Sequence, residues 1–496
     1  MTQKKPDLPT KKMDSDHVKS RGLRGILYFL GNSSYAAVLG LVANLFFTIY
    51  LTPAEYGLYF IVLSLNTVFS YFTDLGLAAA LVQKKSPVKL DYHTAFTIQL
   101  ALISMVLLIG VLLSPLLKQV YDFDHAGIIL FLAMLFSLFI LSLKSVPSTI
   151  LERKLDYGKI VFTQALESSV FYITSIVLMF LGYRIYALVI AVILRAFTGV
   201  ILIYYFTRWR PRLNFQFNRA KAILSFGIPF QANVLLAFVK DDLLNLWLAK
   251  ELGLTQIGYI GWAKKWAEAP LRIVTDNVNR VLFPIFSKYQ SNKTKLRRGL
   301  KKTLFFSSLI LMPVLAGAFL TMPYLIQIIP KYQKWAIAVP SFNFFLISAL
   351  FISFITPFIN VFNSMGKVKT SVKFMLLWIV LNWTVVPLLT KLIGFQGVSI
   401  AFAINSLSFV IVVWQFKQYI NFRLWTTVKT PLISTVFMLI TTLLIVSLFS
   451  GLYLKFAMTI IIGLFTYIAA IYFFTKGAFV NEIWQDFWGS KKPRIK

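Results

Sequence analysis

The sequence predicts an all-α polytopic membrane protein of about 14 transmembrane helices, built as two six-helix lobes in a parallel pseudo-two-fold repeat plus two extra C-terminal helices. Three observations predict it. Apolar runs of roughly 18 to 25 residues recur from end to end, each long enough to cross a hydrocarbon core as a helix. Lys and Arg collect in every second loop. A weak internal repeat relates the two halves. Composition agrees: 58% of residues are hydrophobic, mean hydropathy is +0.74, and charged residues are 14%, against about a quarter in soluble domains.

The spans follow in order. Span 1 (24–50) follows a basic tail (1–20), read as cytosolic and not as a signal peptide, because no short apolar region with a cleavage site follows it. Span 2 (56–82) ends before Lys84 and Lys85, and span 3 (92–117) ends at Lys118. Span 4 (126–149) precedes Arg153 and Lys154. Arg184 separates span 5 (158–181) from span 6 (184–207). A linker (209–221) leads to span 7 (222–249) and span 8 (256–286), with Lys250 between them. The basic run from Lys288 to Lys302 opens span 9 (300–328). Lys331 and Lys334 precede span 10 (336–363), and Lys391 lies between spans 11 (370–390) and 12 (396–419). Spans 13 (428–450) and 14 (453–475) carry almost no charge. Several spans exceed a bilayer's needs, which implies tilt or extension beyond the bilayer. The expected units are therefore an N-lobe (21–208), the linker, a C-lobe (222–421), the final helix pair (422–475) and a tail (476–496). Trp484, Phe487 and Trp488, with Lys476, Lys491 and Lys492, mark that tail as interfacial.

Charge checks the count. Of the 50 Lys and Arg, 37 lie in the two tails and the loops after even-numbered spans, helix ends included, and seven in the alternate loops. A missed or invented helix would scramble this alternation, so both termini are expected in the cytoplasm. The same distribution accounts for the net charge of +32 without a nucleic-acid partner, since no basic domain or RNA-binding aromatic motif accompanies it.

The repeat aligns Gly31, Ala36, Val38 and Leu39 with Gly227, Ala232, Val234 and Leu235, and Thr52 and Gly57 find partners in Thr255 or a residue nearby and in Gly258. The offset covers six spans. An even number preserves orientation, so the repeat axis runs along the membrane normal, and such repeats commonly enclose a central site.

Several chemistries are excluded or disfavoured. The chain has no cysteine, hence no disulfide or thiolate metal site. His17, His93 and His125 sit in or beside loops, which argues against a metal site or buried proton relay. No GxxxxGK[ST] segment is present, so ATP is not hydrolysed by that route. No nucleophile and base can be placed together. The expectation is a transporter, not an enzyme, with no cofactor.

Intramembrane charge marks the candidate site. Span 8 carries Lys264, Lys265, Glu268, Arg272, Asp276 and Arg280. Facing lipid, these would cost on the order of 15 kcal/mol, so they face protein or water. Lys264, Glu268, Arg272, Asp276 and Arg280 are spaced four apart and share a slowly winding helix face with alternating sign. The stripe reads either as the wall of a wet basic cavity or as a self-paired ladder. Span 7 adds Lys240, Asp241 and Asp242, span 2 Asp74, span 5 Glu167 and span 6 Arg195. Asp74 either pairs with a cation, titrates during transport, or accepts hydrogen bonds from a neighbour. Trp262, Trp266, Tyr56 and Tyr71 are candidates for sugar stacking or interface anchoring. Gly57 and Gly258 are expected at tight helix connections, where Gly tolerates positive φ, and Pro270 and Pro284 at kinks.

Three sets of residues carry a family resemblance. One is Leu51-Thr52-Pro53-Ala54-Glu55-Tyr56-Gly57-Leu58-Tyr59 with Thr73-Asp74-Leu75-Gly76-Leu77 and Ala80-Leu81-Val82-Gln83. The second is Val146-Pro147-Ser148 leading to Glu152-Arg153-Lys154-Leu155-Asp156. The third comprises Gly253, Gly258-Tyr259, Ala263, Pro270 and the run from Arg280 to Ser287. Together, across spans 1 to 8, the sequence resembles the polysaccharide transporter family, the Wzx-type flippases of O-antigen, capsule and exopolysaccharide precursors. That family shares a superfamily with lipid II flippases and the multidrug and toxin extrusion antiporters. The resemblance implies a central cavity, alternating access and a polyprenyl-diphosphate-linked oligosaccharide as substrate, in a bacterial cytoplasmic membrane. Membrane lipid, a polysaccharide polymerase and glycosyltransferases are the other expected partners. It makes Lys240, Lys264, Lys265, Arg272, Arg280 and Arg195 candidates for substrate binding, and Asp74, Asp241, Asp242, Glu268 and Asp276 candidate coupling or cavity acids. A cation-coupled drug antiporter is the alternative. Span 1 lacks an ionisable acid from Gly25 to Tyr50, where the antiporter branch often carries one. A membrane scaffold for a polysaccharide synthase is the third reading.

Overall fold

The computed structural model describes the backbone of residues 15–475 and their side chains, except those of 15–24, 26, 27, 30, 229–235 and 276–285. The C-terminal aromatic and basic residues from Lys476 onward lie outside the described residues.

The first lobe is built from α1 (Ser15–Tyr50), α2 (Pro53–Asp74), α3 (Leu77–Gln83), α4 (Lys89–Tyr121), α5 (His125–Ser142), α6 (Ser145–Arg153), α7 (Tyr157–Phe180) and α8 (Ile185–Thr207). The second comprises α9 (Phe217–Ala237), a π-helical turn (Phe238–Asp242), α10 (Leu243–Lys288), α11 (Lys293–Ile328), a 3-10 turn (Gln333–Ala338), α12 (Val339–Ser364), α13 (Val368–Ile393), α14 (Phe395–Ser406) and α15 (Phe409–Lys417). The extra pair is α16 (Trp425–Ser447) and α17 (Leu452–Thr475). Among the described residues, twelve stretches, corresponding to spans 1–6 and 9–14, are long and apolar enough to cross a membrane. Spans 7 and 8 are helical too, running from α9 to the end of α10, and span 8 carries the charges from Lys264 to Arg280.

Local sequence starts and stops these helices. Thr52 and Glu55 form a capping box at α2, with Pro53 in its first turn. Asp124 caps α5 through the Gly127 N–H, and Asn292 caps α11 through that of Lys295.

Three expected single helices are interrupted. Span 2 breaks where Leu75 and Gly76 take φ of 40° and 75°. The Asp74 carboxylate then accepts the Ala78 N–H at 3.2 Å and starts α3. Spans 4 and 12 break at Leu143–Lys144 and Leu407–Ser408. Between spans 7 and 8 no loop forms. The chain turns at Gly253 alone, at φ 76° and ψ 172°. The helix continues through Pro270.

Gly57 and Gly258 are not connection glycines. Both lie inside helices without positive φ, and they bring α2 and α10 together. The main core links the lobes through Ile61, Val62, Leu65, Leu130, Leu188, Ile257, Trp262 and Phe342. A second cluster, rich in Phe358, Phe362 and Phe416, packs the C-lobe. The α16–α17 pair packs on α11, where Tyr467 donates to the Leu309 carbonyl at 2.7 Å. Exposed residues such as Leu112, Leu444, Leu464 and Phe473 form an apolar exterior too extensive for a water-facing surface.

Candidate functional site

The described charges of spans 7 and 8 lie on the π turn and on α10, the helix that packs against α2 of the other lobe. The π turn opens the helix around Lys240, and such turns free backbone groups that need other partners. Here α13 supplies them: Trp383 Nε1 donates to the Val239 carbonyl at 2.8 Å and Asn382 Nδ2 approaches that of Lys240 at 3.5 Å. Lys240 pairs with Asp241 at 2.8 Å. Asp242 turns to the other lobe and accepts from the Tyr71 hydroxyl of α2 at 3.1 Å. Lys264 lies over the Phe402 ring at 4.6 Å. Together with Lys240 it is near enough to act electrostatically on Asp242.

One rung of the expected ladder on α10 is present. Glu268 and Arg272 pair at 3.1 Å, and Arg272 remains 67% exposed. Lys264 engages an aromatic ring and has no acid within ion-pair distance among the described residues, and Lys265 is exposed. The side chains of Asp276 and Arg280 lie outside the described residues. The two readings of the stripe therefore divide along the helix: Arg272 is paired yet accessible, and Lys264 and Lys265 form no ion pair among the described residues. A guanidinium held in this way offers two parallel hydrogen bonds to an anionic oxygen pair.

Two further predicted residues lie elsewhere. Arg195 sits in the N-lobe on α8, its guanidinium 5.8 Å from the Phe171 ring and its Nε without a hydrogen-bond partner among the described residues. It neighbours the Lys144–Glu167 ion pair, in which the carboxylate is buried and the ammonium half-buried. Asp74 caps α3 and has no cation within ion-pair distance among the described residues.

One end of the junction, where the charge-poor loops lie, is closed. The Lys334 ammonium donates to the carbonyls of Ile49 and Leu51, at 2.8 and 2.6 Å, at the end of α1. Trp335 Nε1 donates to the Thr48 carbonyl at 2.8 Å, and the hydroxyls of Thr48 and Tyr332 are 2.9 Å apart. Trp262 stacks on Trp335 at 5.5 Å and donates to the Tyr332 hydroxyl. Trp262 and Tyr56, candidates for sugar stacking, are thus core residues of this closure, with Tyr56 donating to Asn44 Oδ1 at 2.8 Å. At the opposite, basic end, Asp91 of α4 is fully buried and holds both Lys84 and, from the other lobe, Arg219. Lys334, Asp91, Asn382 and Asn405 escaped the sequence reading. The two asparagines alone carried a signal, as amides inside otherwise apolar spans.

The chain is 22% identical over 319 residues to the succinoglycan biosynthesis transport protein ExoT of Rhizobium meliloti (strain 1021), covering 64% of each chain. The match thus takes in less than two thirds of that protein's length. It is 23% identical to the lipopolysaccharide biosynthesis protein WzxC of Escherichia coli (strain K12), over 68% of each. Among solved structures, the lipid II flippase MurJ in an inward closed conformation superposes with a TM-score of 0.74 at 16% identity, covering 92% of this chain and 100% of that one. That likeness establishes the fold. A profile of the family described as polysaccharide biosynthesis protein matches residues 49–340, from the end of span 1 into span 10, and the chain belongs to that family.

Proposed function

We propose that the chain is a flippase, not an enzyme, that carries a polyprenyl-diphosphate-linked oligosaccharide, the repeat unit of a polysaccharide, across a bacterial cytoplasmic membrane by alternating access. The observation that carries this reading is Arg272, exposed and anchored by Glu268 on a helix at the junction of two lobes. A lipid diphosphate needs cations where charge is costly, and the Lys264–Arg272 segment offers them. Relatives named for the transport of succinoglycan and the flipping of lipid II support the cargo class. In this reading the charge-poor end faces outward and is shut by Lys334, Tyr332 and Trp335. The diphosphate enters from the basic, cytoplasmic end and displaces Glu268 from Arg272. The nearly uncharged α16–α17 pair lets the polyprenyl tail remain in lipid. Liposomes holding the purified protein and a fluorescent polyprenyl-diphosphate sugar test it. Protein-dependent exposure of the sugar to an impermeant reagent is expected, and a rate equal to that of empty liposomes, with folded protein present, overturns the proposal.

A further inference from the structure

The C-lobe contains a second polar feature that the diphosphate reading does not use. It is a cavity of 250 Å³ whose walls include Lys240, Ser348, Trp378, Asn382, Phe402 and Asn405. Its amides are deeply buried, Asn382 at 5% and Asn405 at 7% exposure. Asn405 Nδ2 donates to Asn382 Oδ1 at 3.0 Å, which leaves Asn405 Oδ1 buried with no partner among the described residues. A buried acceptor in that state calls for a donor from outside the chain. Trp378 is held by its own hydrogen bond to Ser408 Oγ at 2.9 Å, so its indole is fixed against the cavity.

Size, charge and wall chemistry select the ligand. The volume falls below the range of about 300–1,000 Å³ for pockets that take drug-sized molecules, which suits one ring and excludes an oligosaccharide or a lipid. Local charge balances: Lys240 pairs with Asp241, and Lys264 stands near Asp242. A balanced site gives little advantage to a free ion or a diphosphate. One side of the cavity is aromatic and aliphatic, with Ile352, Ile355 and Ile359 beside Phe402 and Trp378, and the other presents amides and Ser348. That division matches a molecule with C–H faces and a rim of hydroxyls.

We propose that this cavity binds one neutral sugar ring of the cargo. The inference rests on the flippase reading and adds a recognition site to it. Lys264 touches Phe402 of the cavity wall and lies about 12 Å of helix rise from Arg272. Sugar and diphosphate would therefore be read by adjoining parts of one helix junction.

The test uses the full-length protein in lipid nanodiscs, with glucose, galactose, N-acetylglucosamine and glucuronic acid as probes by saturation-transfer NMR. Farnesyl diphosphate binding is measured in parallel. Saturable binding of at least one neutral sugar is expected, with glucuronic acid weaker than glucose by about tenfold or more. Asn405→Leu and Trp378→Leu should each weaken the sugar by about tenfold and leave farnesyl diphosphate unchanged. If a variant loses both ligands through misfolding, Ser348→Met, which fills the cavity from a different wall, decides by the same criterion. No saturable binding of any neutral sugar, or binding that Asn405→Leu and Ser348→Met both leave intact, overturns the proposal. Sugar binding absent while wild-type protein retains farnesyl diphosphate removes this pocket alone. Failure of wild-type protein to bind farnesyl diphosphate removes the diphosphate site beneath it.

Discussion

Gly57 of α2 and Gly258 of α10, partners in the internal repeat, are in contact with each other's helices. A Cβ on Gly57 would stand 1.9 Å from the Leu254 carbonyl oxygen, and one on Gly258 1.9 Å from that of Pro53. Repeat partners meet only near the axis that relates them, so this contact marks the pseudo-two-fold at the charge-poor end. Small residues permit such backbone approach in membranes. Gly57→Ala and Gly258→Ala each put a methyl against backbone that cannot rotate away, costing about 1–3 kcal/mol by overpacking. Thermal unfolding in nanodiscs should show a lowered midpoint for each. The double variant should fall by less than the sum, because both changes open one contact. Gly317→Ala, where nothing lies within 4 Å, is the control and should hold or raise the midpoint.

The second expectation concerns the closure above that contact. Lys334 satisfies two carbonyls at the end of α1, as a cation near a helix C-terminus should. Lys334→Met removes both charge-assisted bonds, each worth about 1.5–3 kcal/mol, and should shift the population toward an outward-open state. The chain has no cysteine, so Leu51→Cys, fully buried here, is a clean reporter. Its labelling by an impermeant maleimide should rise at least about tenfold in the Lys334→Met background. Equal labelling would mean that the closure is held elsewhere.

Most of the fold was legible because its signals are additive along the chain. Apolar runs and alternating Lys and Arg locate each span, and the repeat orders the lobes. The breaks were not legible, because Leu75 and Leu143 look like ordinary helical leucines and their conformations depend on what packs beside them. The roles of Gly57 and Gly258 were misassigned for a related reason: positive φ and close approach both select glycine, and only the three-dimensional contact separates them. In the site, the sequence identified the charged residues but not their partners. Arg195 and Arg272 both stood among the substrate-binding candidates, yet one neighbours the Lys144–Glu167 ion pair of the N-lobe and the other lies on α10, which packs against α2 across the lobes. The Lys334 closure had no signal at all, since an outer-loop lysine commonly does nothing.

Third, the acids should separate by role. Asp74→Ala loses a helix cap and should lower stability by about 1 kcal/mol, whereas Asp74→Asn can still accept the Ala78 N–H and should behave as wild type. Asp242 links the lobes through Tyr71 and is the better candidate for sensing a proton or sodium ion. Collapse of the ion gradient should slow transport in vesicles containing wild-type protein. Asp242→Asn should transport slowly whether or not the gradient is present. Gradient-independent transport by the wild type would instead indicate downhill flipping driven by consumption of the product.

Fourth, the bias of 37 Lys and Arg against seven sets the orientation. Reporter fusions after Ser20, Pro87, Pro211, Asn292 and Gly489 should all report cytoplasm. An external signal after Asn292 would contradict both the helix count and the parallel repeat.

The last expectation bears on the transport step itself. From Lys264 to Arg280 the basic positions of α10 span about 24 Å at 1.5 Å per residue, most of the depth of a membrane. Within that length Arg272 combines accessibility with an anchoring partner, being 67% exposed and paired with Glu268 at 3.1 Å. Arg272→Ala removes hydrogen bonds to an anion worth about 1.5–3 kcal/mol, so export should fall by about ten- to a hundredfold at unchanged abundance and membrane insertion. Arg272→Lys keeps the charge and loses the two-pronged geometry, and its rate should lie between wild type and alanine. Glu268→Gln should tighten farnesyl diphosphate binding, because the guanidinium no longer has a competing carboxylate, and should slow turnover by delaying release. That opposed pair of effects distinguishes a substrate-binding arginine from a structural one, whose partner's removal would weaken both. Normal export by Arg272→Ala and Arg280→Ala at wild-type levels would assign the stripe to folding and remove the diphosphate mechanism.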